Sequence, residues 1–414
     1  MLYRKTMPNG LRIVGEKRAD VHSFALSVWV KAGSCNETED INGISHFIEH
    51  MLFKGTEKRT AKDIAAQIDR VGGQINAFTA KECTCFYVKV IDENIELAVD
   101  ILSDLLLNSV FDKTEINKER GVILEEIAMV EDAPDEMVHE LISATVYKDH
   151  PLGRTILGKP ENIRRFTADD MRGYMDKNYV SGNMLLSVAG NFDEIQLEDL
   201  IDKYFCAAMK HGSAIKNDCQ CGVPFKAARS AIIKDIEQMN LCWGFPGVAY
   251  GDDRKFALSI INNILGGSMS SRLFQSVREQ YGLAYSIFSY PSMYTSTGTF
   301  NIYAGMTLEN CPRAFELIRK EIDFIKKNGI SSDEMEDARM QMKGGYILAN
   351  ENVSSIVNAM AKGELLLGKI QTEEDVLEKM NAVTIDEVNT LISEVFDYSK
   401  MSMAVVGKKL EAQF

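Results

Sequence analysis

The sequence predicts an α+β fold of the α/β roll type, built as two duplicated domains that are each a mixed or antiparallel sheet covered by helices. Three observations lead there. Strand-forming runs include hairpin-like pairs such as 11–31, which favours a mixed sheet covered by helices on one side over a doubly wound parallel one. Segments of helical periodicity separate the strand runs. Landmarks of the first half also return in the second. Thr167-Ala-Asp-Asp, leading to Leu185-Leu-Ser-Val-Ala-Gly190, recurs as Thr384-Ile-Asp-Glu, leading to Met403-Ala-Val-Val-Gly407, at one common interval. Glu93-Asn94 with Ala98 returns as Glu309-Asn310 with Ala314, one residue short of that interval. The 414 residues therefore divide into an expected N-terminal domain at 1–213, a polar linker at 214–224 and a C-terminal domain at 225–414.

Each element has its own signal. Leu11, Ile13 and Val14, then Phe24-Ala-Leu-Ser-Val-Trp-Val30, give two strands. A helix through His46 is expected to close at Gly55, a glycine able to take the left-handed conformation. Thr60 and Asp63 form a capping box before Ile64, Ile68 and Val71, and Gly72-Gly73 ends that helix. Residues 74–91 read as strand, 94–108 and 113–131 as helices. After Pro134 a further helix covers about 135–147, and Met184–Ala189 is a short buried strand ending at Gly190.

The chemistry concentrates in His46-Phe-Ile-Glu-His50. On a helix His46, Glu49 and His50 share one face within about one turn. Two imidazoles at i, i+4 can close on one divalent metal, and a carboxylate between them can take a proton from water activated by that metal. The order H-x-x-E-H is the inverse of the commoner zinc-protease motif. The chain holds only six histidines, so a chance surface helix with this spacing is a poor explanation. Two histidines leave a catalytic metal one protein ligand short. The 113–131 helix offers Glu115, Glu119, Glu125, Glu126 and Glu131, and spacing alone does not choose among them. No histidine follows His211, so a histidine-based metal site belongs to the first half.

His46-Phe-Ile-Glu-His-Met-Leu-Phe-Lys-Gly-Thr56, Glu119-Arg-Gly-Val-Ile-Leu-Glu-Glu126 and Pro151-Leu-Gly-Arg-Thr-Ile-Leu-Gly158 closely resemble the pitrilysin-type metallopeptidases. The likeness is greatest to the half-length branch with the mitochondrial processing peptidase and bacterial processing-protease-like enzymes, and it covers essentially the whole chain. The resemblance implies one Zn2+ per chain on His46, His50 and Glu126, with Glu49 as catalytic base and Glu119 as a supporting acid. It implies that Asn76-Ala77-Phe78-Thr79 pairs with an extended peptide. It also implies that Arg278 and Tyr285, in Arg278-Glu-Gln-Tyr-Gly-Leu-Ala-Tyr285, contact substrate backbone and oxyanion. Glu136 and Glu140, one turn apart, match acids that contact a substrate arginine in the mitochondrial relative. From residue pattern alone these last stretches would pass for an edge strand, a helix end and a solvated face.

The expected activity is thus zinc-dependent endoproteolysis of unfolded peptides or precursor segments in a closed chamber, leaning to basic peptides. The expected assembly is a homodimer, or a heterodimer with a paralogue. A general oligopeptide-degrading peptidase is the alternative within enzymes. A silent structural or peptide-binding subunit is the alternative outside them, and the intact metal motif argues against it. A net charge of −14 argues against nucleic acid as a partner, and no apolar run approaches a membrane span. The N-terminus carries no signal- or transit-peptide pattern, and eight scattered cysteines without C-x-x-C spacing suit a reducing, cytoplasmic compartment.

Overall fold

The computed structural model describes residues 2–207, 209–213, 223 and 225–409, so the expected linker at 214–224 and the pair Cys219/Cys221 lie outside the described residues apart from Val223. Among the described residues, eleven strands form two mixed sheets. In chain order they are β1 (Leu2–Thr6), β2 (Arg12–Lys17), β3 (Ser23–Val30), β4 (Gln74–Thr79), β5 (Thr84–Ile91) and β6 (Met184–Gly190), then β7 (Arg229–Ile233), β8 (Gln238–Pro246), β9 (Ala284–Met293), β10 (Gly298–Thr307) and β11 (Ser402–Gly407). The helices are α1 (Ile44–Leu52), α2 (Ala61–Arg70), α3 (Ile95–Asn108), α4 (Lys113–Asp132), α5 (Pro134–Val146), α6 (Pro160–Arg165), α7 (Ala168–Asn178) and α8 (Glu194–Ile201), followed by α9 (Lys255–Leu265), α10 (Cys311–Asn328), α11 (Ser332–Asn350), α12 (Val353–Lys362), α13 (Glu373–Ala382) and α14 (Ile385–Val395). The fold is α+β, and no helix among the described residues is long and apolar enough to cross a membrane.

The first sheet runs β1-β2-β6-β3-β5-β4 and the second β7-β11-β8-β10-β9. From β2 onward the two orders coincide, and each has one parallel pair, β2 with β6 and β7 with β11. The punctuation coincides too. Thr167 caps α7 through the Asp170 amide, and Thr384 caps α14 through that of Glu387. Gly190 and Gly407 end β6 and β11 at φ +125° and +150°, conformations a side chain rarely takes.

Two compact units result: one gathers the described residues of Met1–Ile127, Arg154–Cys219 and Leu348–Gln371, the other those of Ala128–Gly153, Gln220–Ile347 and Thr372–Phe414. Neither unit follows a chain half, because each half lends the other a helix. In the first unit Phe24, Leu26, Val28 and Val30 of β3 face a large core with α1, α2, α3 and α7. The opposite face, with Val14, Ala25, Trp29 and Leu185, is covered by Val353, Ile356, Val357 and Met360 of α12. The Ser187 hydroxyl reaches across to the Val357 carbonyl at 2.9 Å. In the second unit α5 packs on β11 and β8, where Gly244 leaves room for Ile142. The sheets are thus covered on both faces, not on the one that local patterning suggests.

One boundary differs from expectation. The helix through His46 ends at Leu52, where the Phe53 amide turns back to the His50 and Met51 carbonyls. Gly55, at φ +125°, serves the next turn instead, in a bridge with Thr60.

Candidate metal centre

The helix α1 starts without a Ser, Thr, Asp or Asn cap; Gly43 takes that position at φ +101°. A side chain there would strike Gly158, whose Cα lies 2.8 Å from an added Cβ. The missing cap is supplied from outside by Glu37, which is 2% exposed. Its Oε2 accepts from the Gly43 amide at 2.8 Å and the Asn42 side chain at 2.9 Å, and its Oε1 from the Ser45 amide at 2.9 Å. An anion at a helix N-terminus also meets the positive end of the helix dipole. Burial holds the Glu37 carboxyl above the ordinary range, opposed by the same donors. Ile44, Phe47, Ile48 and Met51 bury one side of α1 in the core, which turns His46, Glu49 and His50 to the other.

The partner helix, α4, buries Ile116, Glu119, Ile123 and Ile127. Glu119 and Glu126, two turns apart, both reach α1. Glu126 Oε2 lies 3.6 Å from His46 Nε2 and 3.6 Å from His50 Nε2. One ligand atom from each of the three residues falls within 4.8 Å of the others, the only such group among the described residues. Tetrahedral zinc with arms of about 2.1 Å needs ligand atoms roughly 3.4 Å apart, so these three fit the ion. Burial, then the neighbouring His50, pushes His46 down to about 4, which keeps its imidazole neutral and able to ligate. Glu115 pairs with Lys118 at 2.6 Å and Glu125 is exposed, both away from the group.

Glu119 stands behind the histidines. Its Oε2 is 3.0 Å from His50 Nδ1 and its Oε1 2.7 Å from Lys54 Nζ, so the carboxylate fixes the ring with Nε2 free for metal. Glu49 is half-buried, and burial holds its carboxyl above the ordinary range. The Thr79 hydroxyl donates to Glu49 Oε2 at 2.6 Å and partly offsets that rise.

Thr79 belongs to β4, which among the described residues pairs only with β5 and so forms the sheet edge. Asn76 is exposed, its side chain accepting from the Ala77 amide at 2.8 Å. Ala77 is buried, and Phe78 turns to the opposite face against Trp29 at 5.5 Å.

Arg278, Tyr285, Glu136 and Glu140 lie in the second unit. The Arg278 guanidinium sits 5.8 Å from the Tyr285 ring, itself 77% exposed. Glu136 and Tyr285 line one cavity of about 470 Å³ with Asp135, His139 and Tyr303. Glu140, a turn beyond Glu136, is not among its lining residues.

Three residues of this architecture went unnoticed in the sequence: Glu37, Lys54 and His139. Lys54 stands four residues after His50, a spacing that could have suggested it. Glu37 offered no signal, since its partners lie beyond a loop.

Comparison with known proteins supports the same picture. Residues 12–160 match the model for insulinase (peptidase family M16), and residues 165–342 match that for the peptidase M16 inactive domain. The chain is 43% identical to the uncharacterized zinc protease YmxG of Bacillus subtilis, over 96% of this chain and 97% of the relative. It is 37% identical to an uncharacterized zinc protease of Streptomyces coelicolor, over 99% and 90% respectively. Among solved structures, a peptidase M16 inactive domain from Pseudomonas fluorescens aligns at TM-score 0.91 with 19% identity, covering 100% of both chains. A protease from Helicobacter pylori aligns at 0.90 with 21% identity, over 98% of this chain and 99% of that one.

Proposed function

We propose, since the chain belongs to the insulinase family, peptidase family M16, that it is a zinc endopeptidase with His46, His50 and Glu126 as ligands and Glu49 as base. Zinc is the cofactor of this family, and the donor set suits it. The observation that carries the reading is the convergence of two imidazole Nε2 atoms on one Glu126 oxygen beside a half-buried glutamate. When bound, zinc supplies a Lewis acid that polarises the scissile carbonyl and acidifies a water. Glu49 takes the water proton and returns it to the leaving amine, a role helped by burial that makes its carboxyl more basic. Glu119 holds His50 in the tautomer with Nε2 unprotonated.

Substrate docks as an added strand on Asn76–Thr79, supported by the edge position of β4. Arg278 and Tyr285 contact its backbone and the developing oxyanion, a role supported by their adjacency and the exposure of Tyr285. Glu136, aided by Asp135 in the same cavity and by Glu140 on the same helix, gives a preference for basic peptides. The working assembly is a homodimer or a heterodimer with a paralogue, enclosing unfolded or precursor peptides; this rests on the family resemblance. A reducing, cytoplasmic setting agrees with cysteines that form no disulfide among the described residues.

The test is cleavage of a quenched fluorescent peptide with flanking arginines by the purified chain. Cleavage should stop with a chelator and in Glu49→Gln, while that variant keeps its zinc. Undiminished turnover by Glu49→Gln would overturn the assignment of the base.

A further inference from the structure

We propose that Thr79 is a positioning residue for Glu49, through which the sheet edge that receives the peptide also sets the base. The proposal rests on the reading of Glu49 as base given above. At 2.6 Å, the hydroxyl–carboxylate contact has the length of a charge-assisted O–H···O⁻ bond. The Thr79 backbone amide also lies close enough to this carboxylate to favour its charged form. The pairing explains why that amide is available. Ala80 N bonds to Cys83 O at 2.8 Å, closing the β4–β5 hairpin. Amides alternate in direction along a strand, so those of Ala80 and Phe78 point toward β5 and that of Thr79 points outward.

No strand lies on that side among the described residues, and the Glu49 carboxylate of α1 stands by Thr79 there. A peptide adding to β4 past Ala77 therefore meets the carboxylate where its next rung would form. The cleavage register follows from this: the strand ends at the base. Thr79 supplies the hydroxyl donor, and its β-branched side chain, held in a narrow range of χ1, keeps that hydroxyl on target. With one Glu49 oxygen held there, the other is left to receive a proton.

A purely structural role, satisfying a buried carboxylate, would affect stability and leave catalysis alone. Wild type, Thr79→Val, Thr79→Ser and Glu49→Gln separate the two with the arginine-flanked peptide. Thr79→Val keeps the shape and the strand; it should retain zinc and a KM within about twofold, while kcat falls by about ten- to a hundredfold. Thr79→Ser restores the hydroxyl and should recover kcat to within about threefold of wild type. A second readout needs no activity: in metal-free protein, hydrogen exchange of the Thr79 amide should be slow and become faster in Glu49→Ala. A Thr79→Val enzyme with wild-type kcat, or a loss confined to KM, would overturn the proposal. So would a Ser variant as impaired as Val, or equal exchange rates with and without the carboxylate. An active Glu49→Gln enzyme would instead sink the underlying reading, whatever Thr79 does.

Discussion

His50 Nδ1 and Glu119 Oε2 lie 3.0 Å apart, with Lys54 Nζ 2.7 Å from the carboxylate's other oxygen. The arrangement orients a ring whose opposite nitrogen faces Glu126. Outer-shell carboxylates of this kind are commonly worth about ten- to a hundredfold in metal affinity. Glu119→Gln should therefore weaken zinc binding by roughly that factor, read by competition with a chelator of known affinity. An unchanged affinity would show that the α4 packing alone aligns His50.

Metal binding should also stabilise the fold. An ion bound only by the native state at a hundred times its dissociation constant adds about 2.7 kcal/mol. Thermal unfolding of the wild-type chain should shift down on adding chelator, and His50→Ala should show no such shift. Equal shifts in both proteins would mean that the chelator acts elsewhere.

The turn after α1 depends on a buried carboxylate, Asp104. Desolvation raises its pKa, but donors on Thr56, Arg59 and Asn108, at 2.7, 2.7 and 2.9 Å, outweigh this and hold it below the ordinary range. Because the folded value lies below the unfolded one, its stabilising contribution is complete above about pH 4. It is lost as pH falls through the folded value. Asp104→Asn should cost about 2–3 kcal/mol at neutral pH and flatten the acid limb of the stability curve. Denaturant titrations from pH 7 down to 3 would detect a limb that instead stays unchanged.

Glu136 is exposed, so its pairing with a substrate cation is worth at most about 1 kcal/mol. Glu136→Gln should raise KM roughly two- to fivefold for arginine-containing peptides and leave a neutral peptide of equal length unaffected. Equal effects on both peptides would count against a basic preference at this cavity.

What could be read in advance follows from range. The i, i+3, i+4 spacing of His46, Glu49 and His50 and the capping boxes at Thr60, Thr167 and Thr384 are local, and the sequence spells them out. Choosing Glu126 from five glutamates on one helix took a family resemblance, because helical phase narrows the set without closing it. Glu37 escaped notice because nothing near it announces a helix cap that acts from six residues before Gly43. The covering of Trp29 by Val357 was equally hidden: apolar patterning marks a face as buried and does not say which distant helix buries it.

That covering governs the order in which the protein can be made. On a ribosome β3, β5 and β6 emerge long before α12, so the Trp29 face of the first sheet waits bare until residue 362 has been synthesised. The helix α5 faces the reverse delay, complete by residue 146 and without its full sheet until β11 at Ser402–Gly407 has been made. A gene cut between the halves would encode two insoluble fragments when each is expressed alone. Supplied together, each would bring the helix the other lacks, and they should assemble from separate chains.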